Sequence, residues 1–272
     1  MMRMVIVGLG VVGSALYKLY SSSGVEVYGY DVDESRSIHR LEDIPKPVDA
    51  LHIAIPYTKT FVDTVVSYVR RLDAKAIYIH STVAVGTTRA VFERVGRPTV
   101  YTPVRGIHRK MVEHLRFWSK WIATLPPDYV DEAKRVLELA GMKVYVCRCE
   151  PESLELAKLW ETVYRAVMIA SWQELHRIAK RFGADIAVVA QFLAEVHRVL
   201  GDRPIYYPGH IGGHCLIPNT EILNSQYPSK LFEFVLESNR VREQEVQDPE
   251  VVRDIERVRE IAMELTNREY YA

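Results

Sequence analysis

The chain has 272 residues, of which 48% are apolar, so it can form one large domain or two modest ones around a substantial core. Lys plus Arg and Asp plus Glu are balanced at 35 each, and zero net charge argues against a nucleic-acid-binding protein. Three cysteines do not suit the disulfide framework of a secreted domain. Without a recognisable leader or an apolar run of the ~20 residues that a membrane helix needs, we expect a cytoplasmic protein with no membrane partner.

The first 149 residues alternate short apolar runs with helix-like stretches. The predicted strands are Met4–Val7, Val25–Tyr30, Ala50–Ile55, Ala76–His80, Thr99–Thr102, Trp118–Thr124 and Lys143–Val146. The helices predicted between them are Val11–Ser21, Thr60–Arg71, Thr87–Arg94 and Tyr129–Ala140. Continuous apolar strands separated by helices indicate a parallel sheet covered on both faces. Residues 1–149 are therefore predicted to form a doubly wound α/β domain of the Rossmann type.

Residues 150–272 are predicted to form a second, all-helical domain. Pro151 suits the first turn of a helix and Gly183 the position just past its end, so one long helix is predicted between them. The further predicted helices are Ala184–Leu200, Ser229–Val246 and Pro249–Thr266, with an irregular loop at Asp202–Pro218. Cys147 and Cys149, at the last predicted strand end, are expected to be unpaired thiols.

A glycine-rich turn joins the first predicted strand to the first predicted helix. It reads Gly8, Leu9, Gly10, Val11, Val12 and Gly13, and strand and helix give it the context of a dinucleotide-binding turn. In such a turn the glycines permit a tight bend and a close approach of pyrophosphate to the N–H groups of the helix N-terminus. The alternative is that these glycines serve only the packing of the helix against the strand.

Asp31 ends the second predicted strand. An acid at this position can accept hydrogen bonds from the ribose hydroxyls and would repel a 2′-phosphate, so NAD is predicted as the cofactor rather than NADP. Arg36 and Arg40 lie near enough in sequence to weaken this preference. The alternative role of Asp31 is to cap a turn.

Cys215 lies in a glycine-rich stretch, Gly209–Pro218. Paired glycines let the backbone approach a substrate closely, and a cysteine thiolate can attack a carbonyl group. The alternative is a buried structural cysteine. His210 and His214 could be drawn as metal ligands, but their spacing on a loop predicts no metal site.

The stretch around Cys215 resembles the active-site loop of the UDP-glucose/GDP-mannose dehydrogenase family, above all its UDP-N-acetylmannosamine dehydrogenase branch, in its Gly-Gly-His-Cys sequence. Ser81–Thr88 is similar to the family's Ser-Thr-Val-x-x-Gly-Thr stretch. Glu155–Leu159 and Ile169–Leu175 are similar to its central helix. The resemblance covers roughly residues 1–245, without a counterpart of the family's C-terminal nucleotide-binding domain.

The resemblance implies an NAD-dependent oxidoreductase acting on a CH–OH group, with a sugar or nucleotide sugar as its small-molecule substrate. It implies that Cys215 is the nucleophile, that Lys158 stabilises the developing oxyanion, and that Thr82 lies near the nicotinamide. Pro56, after the third predicted strand, joins Thr82 among the expected cofactor contacts. The resemblance also implies a homodimer formed through the helix Pro151–Phe182.

Three positions depart from the family pattern. Val104 follows Pro103 where the family usually has glutamate, Thr162 replaces asparagine four residues after Lys158, and Asn219 replaces aspartate four residues after Cys215. We expect Thr162 and Asn219 in the catalytic site, but an amide cannot act as a base, so the four-electron oxidation is expected to be impaired. The alternative is a non-catalytic NAD-binding sensor or a subunit of a complex.

Overall fold

The computed structural model describes residues 2–267. The chain divides into an N-terminal unit, Met1–Leu159, and a C-terminal unit, Trp160–Ala272. This division falls inside the longest helix, whereas the division predicted between residues 149 and 150 precedes that helix.

The N-terminal unit is built on one seven-stranded sheet with the order β2-β1-β3-β4-β5-β6-β7. The strands are β1 (Arg3–Val7), β2 (Glu26–Tyr30), β3 (Ala50–Ile53), β4 (Ile77–Ile79), β5 (Thr99–Tyr101), β6 (Lys120–Leu125) and β7 (Val144–Val146). All neighbouring strands are parallel except β5 and β6. The predicted Rossmann-type doubly wound sheet is confirmed.

Helices cover both faces of this sheet. They are α1 (Val11–Ser21), α2 (Phe61–Leu72), α3 (Thr87–Val95), α4 (Met111–Phe117) and α5 (Val130–Glu138). Met4 and Ile6 of β1 belong to a core with α1, α4 and α5, while Val5 and Val7 belong to a second core with α2. Because both faces of the strand are buried, β1 is apolar at every position after Arg3.

The antiparallel pair β5–β6 differs from the predicted parallel sheet. Thr99 pairs with Leu125, and Tyr101 pairs with Ala123. The connection between these strands contains the unpredicted helix α4, whose seven residues rise only about 10 Å. The chain does not cross back over the sheet in this connection, so β6 starts at the edge where β5 ends.

The C-terminal unit is helical, as predicted. Its helices are α6 (Pro151–Phe182), which begins in the N-terminal unit, α7 (Ile186–Leu200), α8 (Leu216–Gln226), α9 (Lys230–Glu245) and α10 (Pro249–Glu264). Trp172, Ala190 and Val258 lie in the core shared by α6, α7 and α10. Helix α8 begins at Leu216, so the predicted loop Asp202–Pro218 is wrong over its last three residues. Within residues 2–267, no helix is long and apolar enough to cross a membrane.

Cys147 and Cys149 form a disulfide, and the expectation of unpaired thiols is wrong. They directly follow β7, and extended backbone places residues i and i+2 on the same side. Their Cα atoms are 5.2 Å apart, within the range that a disulfide spans. Cys215 is the free cysteine of the chain.

Candidate functional site

The glycine-rich turn closes tightly between β1 and α1. Gly8 has φ +89°, and its N–H donates to the carbonyl of Tyr30 at 2.9 Å. A Cβ on Gly13 would lie 1.7 Å from the carbonyl oxygen of Gly8, so only glycine fits there. A Cβ on Gly10 would meet nothing within 4 Å, and no side chain caps the helix that Gly10 begins. The N-terminus of α1 is therefore open to an anionic ligand.

Asp31 is buried and holds this turn. Its carboxylate accepts hydrogen bonds from the N–H of Leu9 at 2.6 Å and from the N–H of Asp33 at 2.9 Å. Each carboxylate oxygen keeps a further lone pair, so the ribose role predicted for Asp31 is compatible with this capping role.

Substituting Gly13 and Gly10 with alanine is expected to separate folding from cofactor binding. Gly13→Ala should lower the free energy of unfolding by about 1–3 kcal/mol, because its methyl group overlaps the Gly8 carbonyl. Gly10→Ala should change it by less than about 1 kcal/mol but weaken NAD binding, because its methyl group points into the open space. Thermal unfolding and NAD titration of both variants check this. Equal NAD affinity for Gly10→Ala and the parent chain would contradict it.

Pro56 and Thr82 follow the neighbouring parallel strands β3 and β4. Ligands of open α/β sheets bind at this carboxyl edge. Pro56 is exposed and Thr82 is half-buried. The hydroxyl of Ser81 donates to the carbonyl of Ile55 at 2.6 Å and so joins the two segments next to these residues.

Glu155 fixes the segment that follows Thr82, although the sequence predicted no role for it. Its carboxylate is 0% exposed and accepts from the N–H of Gly86 at 2.6 Å, the N–H of Thr88 at 2.8 Å and the hydroxyl of Thr88 at 2.6 Å. It thereby caps α3. Burial raises the pKa of Glu155, although these three donors act to lower it. Lys158 is half-buried one turn further along α6.

Cys215 lies exposed at the N-cap of α8, and its carbonyl accepts from the N–H of Asn219 at 3.0 Å. The positive end of a helix dipole stabilises an anion such as a thiolate. The alternative of a buried structural cysteine is wrong. His214 is exposed beside it, and no group of three or more His, Cys, Asp or Glu side chains within residues 2–267 could hold a metal ion.

Two amide side chains from α6 and α9 anchor the loop before Cys215. Asn239 accepts from the N–H of Ile211 at 2.7 Å and donates to the carbonyl of Ile211 at 3.1 Å. Gln173 donates to the carbonyl of Gly209 at 2.8 Å. Neither anchor was predicted from the sequence.

Asn239→Asp is expected to loosen this loop. An oxygen would replace the Nδ2 donor and face the carbonyl of Ile211, and we expect a loss of about 1–3 kcal/mol in stability. Hydrogen exchange across residues 209–215 and the alkylation rate of Cys215 should both rise. Gln244→Glu, an exposed amide-to-acid change on α9, is the matched control. Unchanged hydrogen exchange in Asn239→Asp would show that the order of the loop does not depend on the hydrogen bonds of Asn239.

The family departures Thr162 and Asn219 contact each other. Asn219 is 6% exposed, and its amide donates to the hydroxyl of Thr162 at 2.8 Å. The two side chains thus form a neutral pair. Val104, the third departure, is 9% exposed and packs in the core with Met111 and Leu115.

Comparison with known proteins agrees with these features. Residues 152–241 match the profile of the UDP-glucose/GDP-mannose dehydrogenase family, central domain. Residues 152–241 are thus similar to the central domain of this family. The resemblance found in the sequence is therefore confirmed.

Among curated relatives of this dehydrogenase family, the UDP-N-acetyl-D-mannosamine dehydrogenase of Methanococcus maripaludis is 21% identical, and the match covers 79% of this chain and 59% of the relative. The chain thus spans about three fifths of that relative's length.

Solved structures show the same fold. UDP-D-ManNAc dehydrogenase from Pyrococcus horikoshii matches with a TM-score of 0.75 at 20% identity, over 89% of this chain and 68% of that one. 3-Hydroxyisobutyrate dehydrogenase from Mycobacterium tuberculosis matches with a TM-score of 0.64 at 14% identity, over 91% of this chain and 94% of that one.

Proposed function

We propose that this chain is an NAD-dependent dehydrogenase that oxidises a CH–OH group of a sugar or nucleotide sugar. The observation that carries the proposal is the placement of Cys215, exposed at the N-terminus of α8, within the loop that resembles the family's active-site loop. The family match of residues 152–241 and the UDP-N-acetyl-D-mannosamine dehydrogenase relatives support the substrate class.

The residues of the glycine-rich turn fit NAD. The N-terminus of α1 would hold the pyrophosphate, and the Asp31 carboxylate would accept from the ribose hydroxyls. Arg36 pairs with Asp33 at 3.1 Å and Arg40 with Glu42 at 2.6 Å. Both pairs are exposed and therefore weak, so the preference for NAD over NADP rests on the Asp31 carboxylate, which would repel a 2′-phosphate.

The proposed chemistry assigns one task to each remaining residue. NAD, when bound, supplies the hydride acceptor. Lys158 stabilises negative charge that develops on the substrate oxygen, and Thr82 orients the substrate or water. Once the alcohol has become an aldehyde, the Cys215 thiolate adds to its carbonyl carbon to give a thiohemiacetal. Loss of a second hydride gives a thioester, which water hydrolyses to the acid and the free thiol.

The hydrolytic half of this sequence is expected to be weak. Val104 is an apolar core residue, and Thr162 and Asn219 form a neutral pair, so none of the three can take a proton from water. A second candidate function is a two-electron oxidation that stops at the carbonyl product. It is suggested by the 3-hydroxyisobutyrate dehydrogenase neighbour, of whose chain 94% is covered by the match.

Counting NADH against substrate consumed tests the function. Substrates are UDP-N-acetylmannosamine, UDP-glucose, GDP-mannose and 3-hydroxyisobutyrate. We expect turnover of a nucleotide sugar with fewer than two NADH per substrate. A ratio of two sustained over many turnovers would mean that hydrolysis is intact, because a chain that stops at the thioester forms two NADH only once. NAD binding without turnover of any of the four would favour a non-catalytic NAD-binding sensor or subunit.

We also propose that the chain forms a homodimer through α6. Large apolar side chains stand exposed at helical spacing along it, at Trp160, Tyr164, Ile178 and Phe182, with 42%, 51%, 47% and 80% of their surface exposed. Such a row favours burial against a second helix. Tyr164→Glu should shift the mass measured by light scattering toward the monomer, and Phe117→Glu, exposed on α4, should not. A monomeric parent chain would overturn the proposal.

A further inference from the structure

The connection between β5 and β6 concentrates positive charge at the carboxyl edge of the sheet. Because β5 ends at this edge and the antiparallel β6 starts from it, both ends of the connection lie there. Its residues 102–119 contain one acid, Glu113, and four Lys or Arg side chains, namely Arg105, Arg109, Lys110 and Arg116. Ligands of open α/β sheets bind outside the carboxyl ends of the strands. A connection of this charge at this edge suits an anionic ligand.

The start of this connection is held in a fixed conformation on both sides of Arg105. On one side, Nζ of Lys120 donates to the carbonyl of Pro103 at 2.9 Å. On the other side, Gly106 has φ +140°, and a Cβ there would lie 2.6 Å from Cβ of the buried His114. The backbone that carries Arg105 is therefore positioned before any ligand binds.

The guanidinium of Arg105 is oriented by its neighbours but keeps most of its donors. Its Nη2 donates to the carbonyl of Ser119 at 2.9 Å, and its Cζ lies 4.8 Å from the centroid of the Trp118 ring. Within residues 2–267, its other four N–H groups meet no acceptor, and no carboxylate pairs with it. A planar guanidinium held in one orientation can bind a phosphate group through two parallel hydrogen bonds.

An exposed aromatic ring adjoins this cation. Phe117, the last residue of α4, has 57% of its surface exposed. Its ring stands edge-on to Trp118, with the centroids 5.1 Å apart and an angle of 86° between the ring planes. The face of such a ring can stack on a nucleobase. Since the Trp118 ring contacts both Phe117 and Arg105, one ligand of nucleotide size can reach the phenyl ring and the guanidinium together.

We propose that Arg105 and Phe117 bind the nucleoside diphosphate part of the substrate. The guanidinium binds the diphosphate, and the phenyl ring stacks on the base. This inference rests on the proposed function and narrows its substrate to a nucleotide sugar. The site differs from the one proposed for the adenosine of NAD, because Asp31 ends β2, four strands from β5, which is about 19 Å at about 4.8 Å per strand.

Binding without turnover tests the site. Calorimetry on the full chain measures the affinity for UDP and for pyrophosphate with NAD saturating, so that neither probe can occupy the glycine-rich turn. Arg105→Gln should weaken the binding of both probes by about 10- to 100-fold, because it removes charge-assisted hydrogen bonds. Phe117→Ala should weaken the binding of UDP by about 5- to 100-fold and leave that of pyrophosphate unchanged, because pyrophosphate has no base to stack.

Matched variants control for charge, aromatic surface and folding. Arg97→Gln removes an arginine at the opposite end of β5, 3.9 Å from Asp73, and Phe192→Ala removes an exposed ring from α7. Both should bind UDP as the parent chain does. Arg105→Lys keeps the charge but not the planar pair of donors, so its affinity for UDP should lie between those of the parent chain and Arg105→Gln. Thermal unfolding shows whether each variant is folded.

Two results would overturn the nucleotide site. One is a parent chain that binds no UDP at millimolar concentration. The other is an affinity for UDP that is unchanged in Phe117→Ala, or in a folded Arg105→Gln.

Kinetics separate this site from the proposed reaction. With UDP-N-acetylmannosamine, Arg105→Gln should raise KM by about 10-fold or more and leave kcat similar, because the diphosphate is bound equally in the ground state and the transition state. Turnover with KM unchanged in both Arg105→Gln and Phe117→Ala would overturn the nucleotide site and leave the dehydrogenase standing. UDP binding that depends on both residues, without turnover of any nucleotide sugar, would refute the dehydrogenase and leave the nucleotide site standing.

Discussion

Cys215→Ser is expected to form at most one NADH per substrate and to slow oxidation of the bound aldehyde by on the order of 10³-fold or more. A serine hydroxyl is not ionised at neutral pH and needs an adjacent base to attack a carbonyl. The side chain one turn away, Asn219, is neutral and donates its amide to Thr162, so it cannot serve as that base. The first hydride transfer does not need the thiol and should persist.

Two measurements check the role of Cys215. Mass spectrometry of the intact chain with NAD and UDP-N-acetylmannosamine should show a substrate adduct in the parent chain and none in Cys215→Ser. Iodoacetamide should label the parent chain once, because the other two cysteines are joined in a disulfide, and should abolish the second oxidation. A Cys147→Ser, Cys149→Ser double variant that retains Cys215 is the thiol control. If Cys215→Ser forms as many NADH per substrate as the parent chain, Cys215 is not the nucleophile.

Features with a local signature could be predicted from the sequence. The turn Gly8–Gly13 lies between a strand and a helix that are adjacent in the chain, and the requirement for glycine at Gly13 arises within six residues. The buried face of each strand also follows from its own apolar residues. The Rossmann-type sheet and the placement of Asp31 at the end of β2 therefore followed from sequence alone.

Features made by distant partners could not be predicted. Glu155 accepts from Thr88 and Gly86, which lie 67 and 69 positions earlier, and Asn239 holds Ile211 from 28 positions away. The sequence around each of these two residues does not identify the distant residue that it contacts. All of helix α8 was missed. The stretch Asp202–Pro218 is rich in proline, glycine and tyrosine and suggested a loop, although proline is tolerated in a first helical turn, where the N–H has no partner within the helix.

Glu155→Ala is expected to lower the free energy of unfolding by about 3 kcal/mol, a fall in melting temperature of roughly 6–12 °C. The substitution leaves three donors without their acceptor, the N–H of Gly86 and both the N–H and the hydroxyl of Thr88, and it opens a cavity. Thermal and urea unfolding measure the loss. Glu138→Ala, which removes an exposed carboxylate paired with Lys134, should cost less than about 1 kcal/mol. Equal losses in the two variants would contradict the capping role.

The pH dependence of this effect has a defined sign. Burial raises the pKa of Glu155, so the folded chain keeps this proton to a higher pH than the unfolded chain does. The stability that the carboxyl group contributes is complete below its ordinary value of 4.5 and is lost as the pH rises from there through the raised pKa. Measured against Glu155→Gln, which does not titrate, the parent chain should lose unfolding free energy as the pH rises above 4.5. If its advantage instead grows with pH, the three donors outweigh burial, and Glu155 holds α3 as a carboxylate rather than as an acid.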